Sequence, residues 1–237
     1  MSAATKNGTA RKPVAAASDA PDSPAEPGRT TVTISPPKFK VAVLTLVGTA
    51  PYMQARFSAK AMQMMMAKMA EGPTAKKGKN RAARDFNEDF EAAKHVSTEG
   101  WIGVPAAALR NASIDVCRMV GFKMTHAKMS IFVEADGYDR VDGTPLIKLI
   151  AGEPERTEIP VRNATGVIDI RVRPMWREWK LSVRVRFDED QFTLSDVTNL
   201  LARAGAQVGI GEGRPFSRES NGMGFGLFTI EGCGVQG

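Results

Sequence analysis

Side chains able to do chemistry are few in this chain, and most of them are cations. His95 and His126 are its two histidines, and Cys117 and Cys233 its two cysteines. Two cysteines exclude a disulfide scaffold and a four-cysteine metal site. Two histidines are too few for a histidine-rich metal centre, so neither metal nor cofactor is expected. Either histidine can act as a general base, because imidazole titrates near neutrality. No Lys, Tyr or Ser constellation accompanies them, and an isolated histidine is more often structural. The cations, by contrast, cluster. Lys76, Lys77, Lys79, Arg81 and Arg84 put five positive charges into nine residues with no acid between them. That density attracts phosphate. It reads equally well as a solvated loop answered by Asp85, Glu88, Asp89 and Glu91.

The second concentration is glycine. Gly205, Gly209, Gly211, Gly213, Gly222, Gly224 and Gly226 are seven of the chain's 22 glycines and fall within 22 residues. Glycine permits positive φ and close approach of backbone to a ligand. This loop, however, follows a helix and precedes a strand. Dinucleotide and P-loop sites need strand, loop, helix, and the P-loop also needs a Gly-Lys-Ser/Thr that is absent. Nucleotide hydrolysis and Rossmann-type binding are therefore not expected.

The elements that must position these residues follow from periodicity. Lys38–Val47 reads as a strand that buries Phe39, Val41 and Val43 at its start and both faces further on, ending at Gly48 and Pro51. A helix capped by Ser58 reaches about Ala70, with Phe57, Ala61, Met64, Met65 and Met69 on a stripe expected to pack in the core. Pro105 opens another helix, with Leu109, Ser113, Val116 and Val120 on one face and Gly121 as its stop. Lys128–Glu134 and Thr144–Ile150 read as strands, and the punctuated stretch 137–166 as a projecting hairpin or lobe. Val167–Arg173 and Trp179–Phe187 alternate with period two, and their short link predicts an antiparallel hairpin. Its outward face would gather Arg171, Arg173, Lys180, Arg184 and Arg186. Opposed like charges destabilise a hairpin, so a polyanion is an economical reason for them. Trp176 and Trp179 sit at the rim of this hairpin or form a cross-strand core pair. Thr193 or Ser195 caps a helix through Ala204, and Leu227–Ile230 is the closing strand.

Composition divides the chain. Of the first 37 residues, 25 are Ala, Pro, Ser, Thr or Gly and none is aromatic. Such a segment cannot bury enough apolar surface to offset its ordering entropy, so residues 1–37 read as a disordered tail. Residues 38–237 are one domain's worth of chain. The formal net charge is +6 over 237 residues, nearly all of it outside the tail. No apolar run reaches membrane-spanning length, so a cytoplasmic protein of a bacterial or phage-infected cell, without membrane contact, is expected.

Three motifs in order carry a resemblance. The first strand ends Gly48-Thr-Ala-Pro51-Tyr-Met. Trp101-Ile-Gly-Val-Pro105-Ala-Ala-Ala-Leu109-Arg110 opens a helix. Gly209-Ile-Gly-Glu-Gly-Arg214 leads to Gly222-Met-Gly-Phe-Gly-Leu-Phe-Thr-Ile230. Together these resemble the RAMP superfamily, the modified RNA-recognition-motif proteins that form backbone subunits of CRISPR effector complexes. The chain also looks similar to proteins encoded by tailed phages. Ala106 and Ala107 depart from the family's Gly-Ser, and the glycine loop keeps only Arg214 and Arg218 of its usual arginines.

The resemblance implies an α+β fold. Its core would be a ferredoxin-like, RRM-type antiparallel sheet with helices on one face, with insertions at about 72–100 and 137–166. The second insertion would be a thumb wedging between bases. The function implied is non-catalytic binding of single-stranded RNA or DNA with self-assembly along the strand. Its contacts would be Lys76, Lys77, Lys79, Arg81, Arg110, Arg171, Arg173, Arg184, Arg186, Arg214 and Arg218, with the backbone of Gly209, Gly211 and Gly213, and with Trp176 and Trp179 for stacking. Two other classes compete. One is a protein-interaction role, as an assembly protein or a mimic of a CRISPR subunit, with phage or CRISPR-complex proteins as partners. The other is a metal-independent RNA endonuclease using His95 or His126.

Overall fold

The computed structural model describes residues 34–57, 59–71, 84–162, 168–216 and 222–232. Two ten-residue strands make its centre. β1 (Phe39–Gly48) and β9 (Trp179–Asp188) pair antiparallel, from Phe39 opposite Asp188 to Val47 opposite Lys180. β10 (Phe228–Ile230) lies on the far side of β1. On the far side of β9, β6 (Pro145–Ala151) takes one end and β4 (Ile131–Val133) the other. β3 (Gly103–Pro105) and β5 (Gly137–Tyr138) pair with β6.

One face of this sheet is the core. Leu181, Val183, Val185 and Phe187 of β9 alternate inward, as their spacing predicts. They share a buried cluster with Leu109, Ala112 and Val116 of α3 (Ala106–Met119) and Val197, Leu200 and Leu201 of α5 (Leu194–Arg203). α5 starts where its sequence says it should: the Thr193 side chain accepts from Asp196 N, and Asp196 returns a bond to Thr193 N, a capping box. α3 has Pro105 as its N-cap and ends just before Gly121, whose φ is +75°.

The first strand buries the opposite face from the one expected. Ala42 and Leu46 are buried, whereas Phe39, Val41 and Val43 are 38%, 51% and 66% exposed. Register decides this. Ala42, Leu44 and Leu46 stand opposite Val185, Val183 and Leu181, and strict alternation then sends their neighbours to the other side.

The expected hairpin does not form. β8 (Ile168–Trp176) leaves the main sheet and pairs with β7 (Glu155–Arg162) and β2 (Tyr52–Met53) in a separate three-stranded sheet. β9 already has β1 along one side and β4 and β6 along the other, which leaves no edge for β8. The chain changes sheets at Arg177–Glu178, and both flanking tryptophans turn inward. Trp176 and Trp179 are each 2% exposed, with Tyr52 against both rings at 5.7 and 5.5 Å. Of the segment 137–166, the described part, 137–162, is likewise not a separate lobe, because β6 within it is an integral strand of the main sheet. The strand expected from Lys128 begins only at Ile131, after α4 (Met124–Ser130).

α1 (Ala59–Glu71) presents its methionines outward; Met64, Met66 and Met69 are more than half exposed. The stripe is therefore not core. α2 (Phe86–Ala92) is capped by Asp85, whose carboxylate accepts from Asn87 N and Glu88 N. No helix among the described residues is long and apolar enough to cross a membrane. Residues 1–33, Ser58 and the basic run 72–83 lie outside the described residues.

Candidate nucleic-acid interface

The face of the main sheet that no described element covers carries the first candidate surface. Alternation along β1 and β9 puts Phe39, Val41 and Val43 beside Lys180, Arg184 and Arg186. Pairing of β4 with β9 adds Phe132 opposite Arg186. Phe39 and Phe132 meet edge to face, with ring centroids 5.8 Å apart at 75°. The Arg186 guanidinium lies 4.9 Å from each centroid. Among the described residues Arg186 has no carboxylate partner, so its charge is answered only by two ring faces. Ile150, opposite Lys180, extends the apolar part of the face.

A second concavity lies past the end of β1. It is a cleft of about 470 Å³ lined by Tyr52, Gln54, His95, Pro105, Ala108 and Gly211–Arg214. The glycine loop reaches this position through a π-helical turn, Ala204–Val208, followed by Gly209 at φ +72°. Gly211 (φ +83°) packs so closely that a Cβ would stand 2.5 Å from Met53 O, and only glycine fits. Glu212 N donates to Met53 O at 3.0 Å, and Gly226 N to Pro51 O at 2.7 Å, tying loop to β2.

A polar network links Gln54 and His95 of the lining to Asp139, Arg56 and Asp142. Gln54 is buried and fully engaged: its amide donates to Gly103 O (2.7 Å) and Tyr52 Oη (3.1 Å), and its Oε1 accepts from His95 N (2.8 Å). His95 Nδ1 lies 2.9 Å from Asp139 Oδ2. Asp139, 1% exposed, also accepts from Val141 N (2.8 Å) and has Arg56 Nε 3.3 Å away. Arg56 in turn faces Asp142 at 3.4 Å. Burial lowers the His95 pKa below the usual imidazole value, outweighing the opposing pull of Asp139, and burial raises that of the Tyr52 phenol. Neutral imidazole beside an ionised carboxylate donates from Nδ1 and keeps a lone pair on Nε2.

The residues expected at an interface are thus dispersed. Arg171 and Arg173 do not join Arg184 and Arg186, since β8 and β9 belong to different sheets. They converge instead on Glu212, Arg173 Nε at 2.6 Å and Arg171 Nη1 at 3.7 Å. Arg184 is held by Glu134, Asp136 and the carbonyl of Ala135. Arg110 donates to Ile131 O and Lys128 O, bracing the end of α4, and lies over Phe132. Trp176 and Trp179 are core, not a stacking platform; Trp179 Nε1 donates to Ala50 O at 2.8 Å. Gly209, Gly211 and Gly213 do form a left-handed loop, with Arg214 donating to the carbonyls of Gly211 and Phe216. His126 is exposed, edge-on to Phe122. Lys76, Lys77, Lys79, Arg81 and Arg218 lie outside the described residues.

Phe39 as a surface residue, Phe132, Glu212 and the His95–Asp139 pair are what sequence reasoning misses. Phe132 sits between Ile131 and Val133, so nothing marks it as the one that faces out. His95 and Asp139 are 44 residues apart, and only the fold joins them. No protein-family model matches the chain, and no curated protein matches it.

Proposed function

We propose that this protein binds single-stranded nucleic acid without cleaving it, on the open face of its main sheet. The observation that carries this reading is the Phe39–Phe132 pair with Arg186 over both rings. Large apolar side chains on a sheet face are normally buried, and an exposed row of them beside arginines is a surface built for contact. Bases stack on aromatic rings for about 1–3 kcal/mol each regardless of sequence, and adjacent cations take the phosphates. The strand order β10-β1-β9-β4, with α3 between β1 and β4 and α5 between β9 and β10, supports a ferredoxin-like, RRM-type reading of the sheet. That in turn favours the RAMP resemblance.

The test is a titration of labelled single strands at several salt concentrations, with purified protein first treated with nuclease. Binding that weakens steadily from 50 to 200 mM salt supports the reading; absence of binding at 50 mM ends it.

A protein-interaction role is the second reading, and the exposed methionines of α1 favour it, since methionine faces adapt to varied partners. Self-association along a strand would use the same helix. Sedimentation with and without a long single strand separates these cases.

A further inference from the structure

We propose that two copies of this chain join through the outer edge of β1. Phe39–Val43 of one copy pairs antiparallel with Phe39–Val43 of the other, about a two-fold axis at Val41. This goes beyond the nucleic-acid reading and does not depend on it.

Hydrogen bonding shows that the edge is open. Glu189 N donates to Lys38 O, so the even-numbered residues of β1 bond toward β9 and the odd-numbered ones point away from it. On that outer side Glu231 N donates to Thr45 O, and β10 occupies the edge only from Thr45 onward. Past β10 the backbone turns at Gly232, whose φ is +85°. The N–H and C=O groups of Phe39, Val41 and Val43 therefore point outward without a partner among the described residues. Their side chains are exposed as well. Edge strands are usually blunted by prolines or bulges. The outer strand of the other sheet, β7, carries Pro160. β1 runs from Phe39 to Leu44 with no proline and an unbroken register. Lys38 and Lys40 alternate to the other side of the sheet and are held by Asp190 and Glu189.

This edge is complementary to itself in one register. Ladder bonds need outward residues opposite outward residues. With the axis at Val41, Phe39 meets the second copy's Val43 and Val41 meets its own counterpart, so all three find partners. Lys40 then stands opposite Ala42, and no lysine opposes a lysine. An axis at Lys40 would set Lys40 against itself and Val43 against Pro37, which has no N–H. An axis at Ala42 would set Phe39 against Thr45, whose carbonyl already holds Glu231 N. Only the Val41 axis uses the whole open edge. The same patch serves both copies, so the assembly closes at two, unlike association along a strand. It lays the two Phe39-Val41-Val43 rows side by side and makes one sheet of two.

The experiment is sedimentation velocity of nuclease-treated full-length protein over a range of concentrations. The expected result is a monomer–dimer equilibrium, with dimer prevailing by about 100 μM. Val41→Lys sets two lysines opposite each other at the axis and should raise the dissociation constant at least about 10-fold. Circular dichroism checks its fold. Register is tested by oxidation of Val41→Cys and Val43→Cys, each combined with Cys233→Ser because Cys117 is buried. Val41 Cα would lie about 5.5 Å from its counterpart, within disulfide reach, and Val43 about 13 Å from its own. Val41→Cys should therefore cross-link to a dimer and Val43→Cys should not. A wild type that stays monomeric at about 100 μM overturns the proposal. A dimer unaffected by Val41→Lys lies on another surface and overturns it too, as does failure of Val41→Cys to cross-link. A monomer that still binds single strands leaves the sheet-face reading standing.

Discussion

Arg173 Nε donates to Glu212 Oε2 at 2.6 Å, so a cation well suited to a phosphate already holds a carboxylate. Arg171 approaches the other oxygen of the same group at 3.7 Å. Glu212 belongs to the glycine loop and the arginines to β8, so this one carboxylate joins loop to sheet.

Glu212→Gln separates two roles for that contact. If ligand phosphate competes with Glu212, the variant should bind single strands more tightly. Each arginine freed to meet a phosphate should steepen the salt dependence by about 0.7 in log–log slope. Loss of the ion pair should also lower unfolding stability by on the order of 1–3 kcal/mol, because Arg173 is largely buried. A stability loss with unchanged affinity and slope would assign the contact to architecture alone.

Trp176 should matter for folding and not for stacking. It is 2% exposed, stacked on Tyr52 at 25° between ring planes. Trp176→Ala should cost about 3–5 kcal/mol in denaturant unfolding. A variant of wild-type stability with impaired binding would reverse the assignment.

Acid should loosen the cleft. Burial depresses the His95 pKa in the folded state against 6.5 for the free side chain. Below 6.5 the unfolded chain therefore binds a proton that the folded chain resists. Its contribution is intact above pH 6.5 and is lost as pH falls toward the folded-state value. Thermal unfolding between pH 7.5 and 5 should show a decline that His95→Gln reduces. An identical decline in both proteins would place the titrating group elsewhere.

The legible part of the fold is where only one face is apolar. β9 alternates four apolar residues with four polar ones, and its orientation follows. The Thr193–Asp196 box is equally local. β1 alternates Phe39, Val41 and Val43 with Lys38, Lys40 and Ala42 at its start and is apolar on both faces further on, so periodicity fixed the strand but pointed to the wrong side for Phe39. The β8–β9 link looked like a hairpin because the short stretch Pro174–Glu178 separates two strands of alternating pattern. That the chain changes sheets there depends on β9 being paired along both edges, which no local signal carries. The candidate site shares this limit. Arg186 was legible as an outward cation, while its two phenylalanine neighbours come from strands 93 residues apart (39 to 132). The glycine loop was legible as a loop, while Asp139 and His95 were not legible as a pair.

The most direct test of the sheet-face reading is the affinity of Phe39→Ala/Phe132→Ala for a labelled single strand, beside the wild type and at 50 mM salt. Both rings are partly solvent-facing, so the double variant should stay folded, as circular dichroism would check. The predicted result is a loss of at least about 10-fold in affinity, with the salt slope retained because the double substitution removes no cation. A folded double variant that binds as the wild type does would contradict the account.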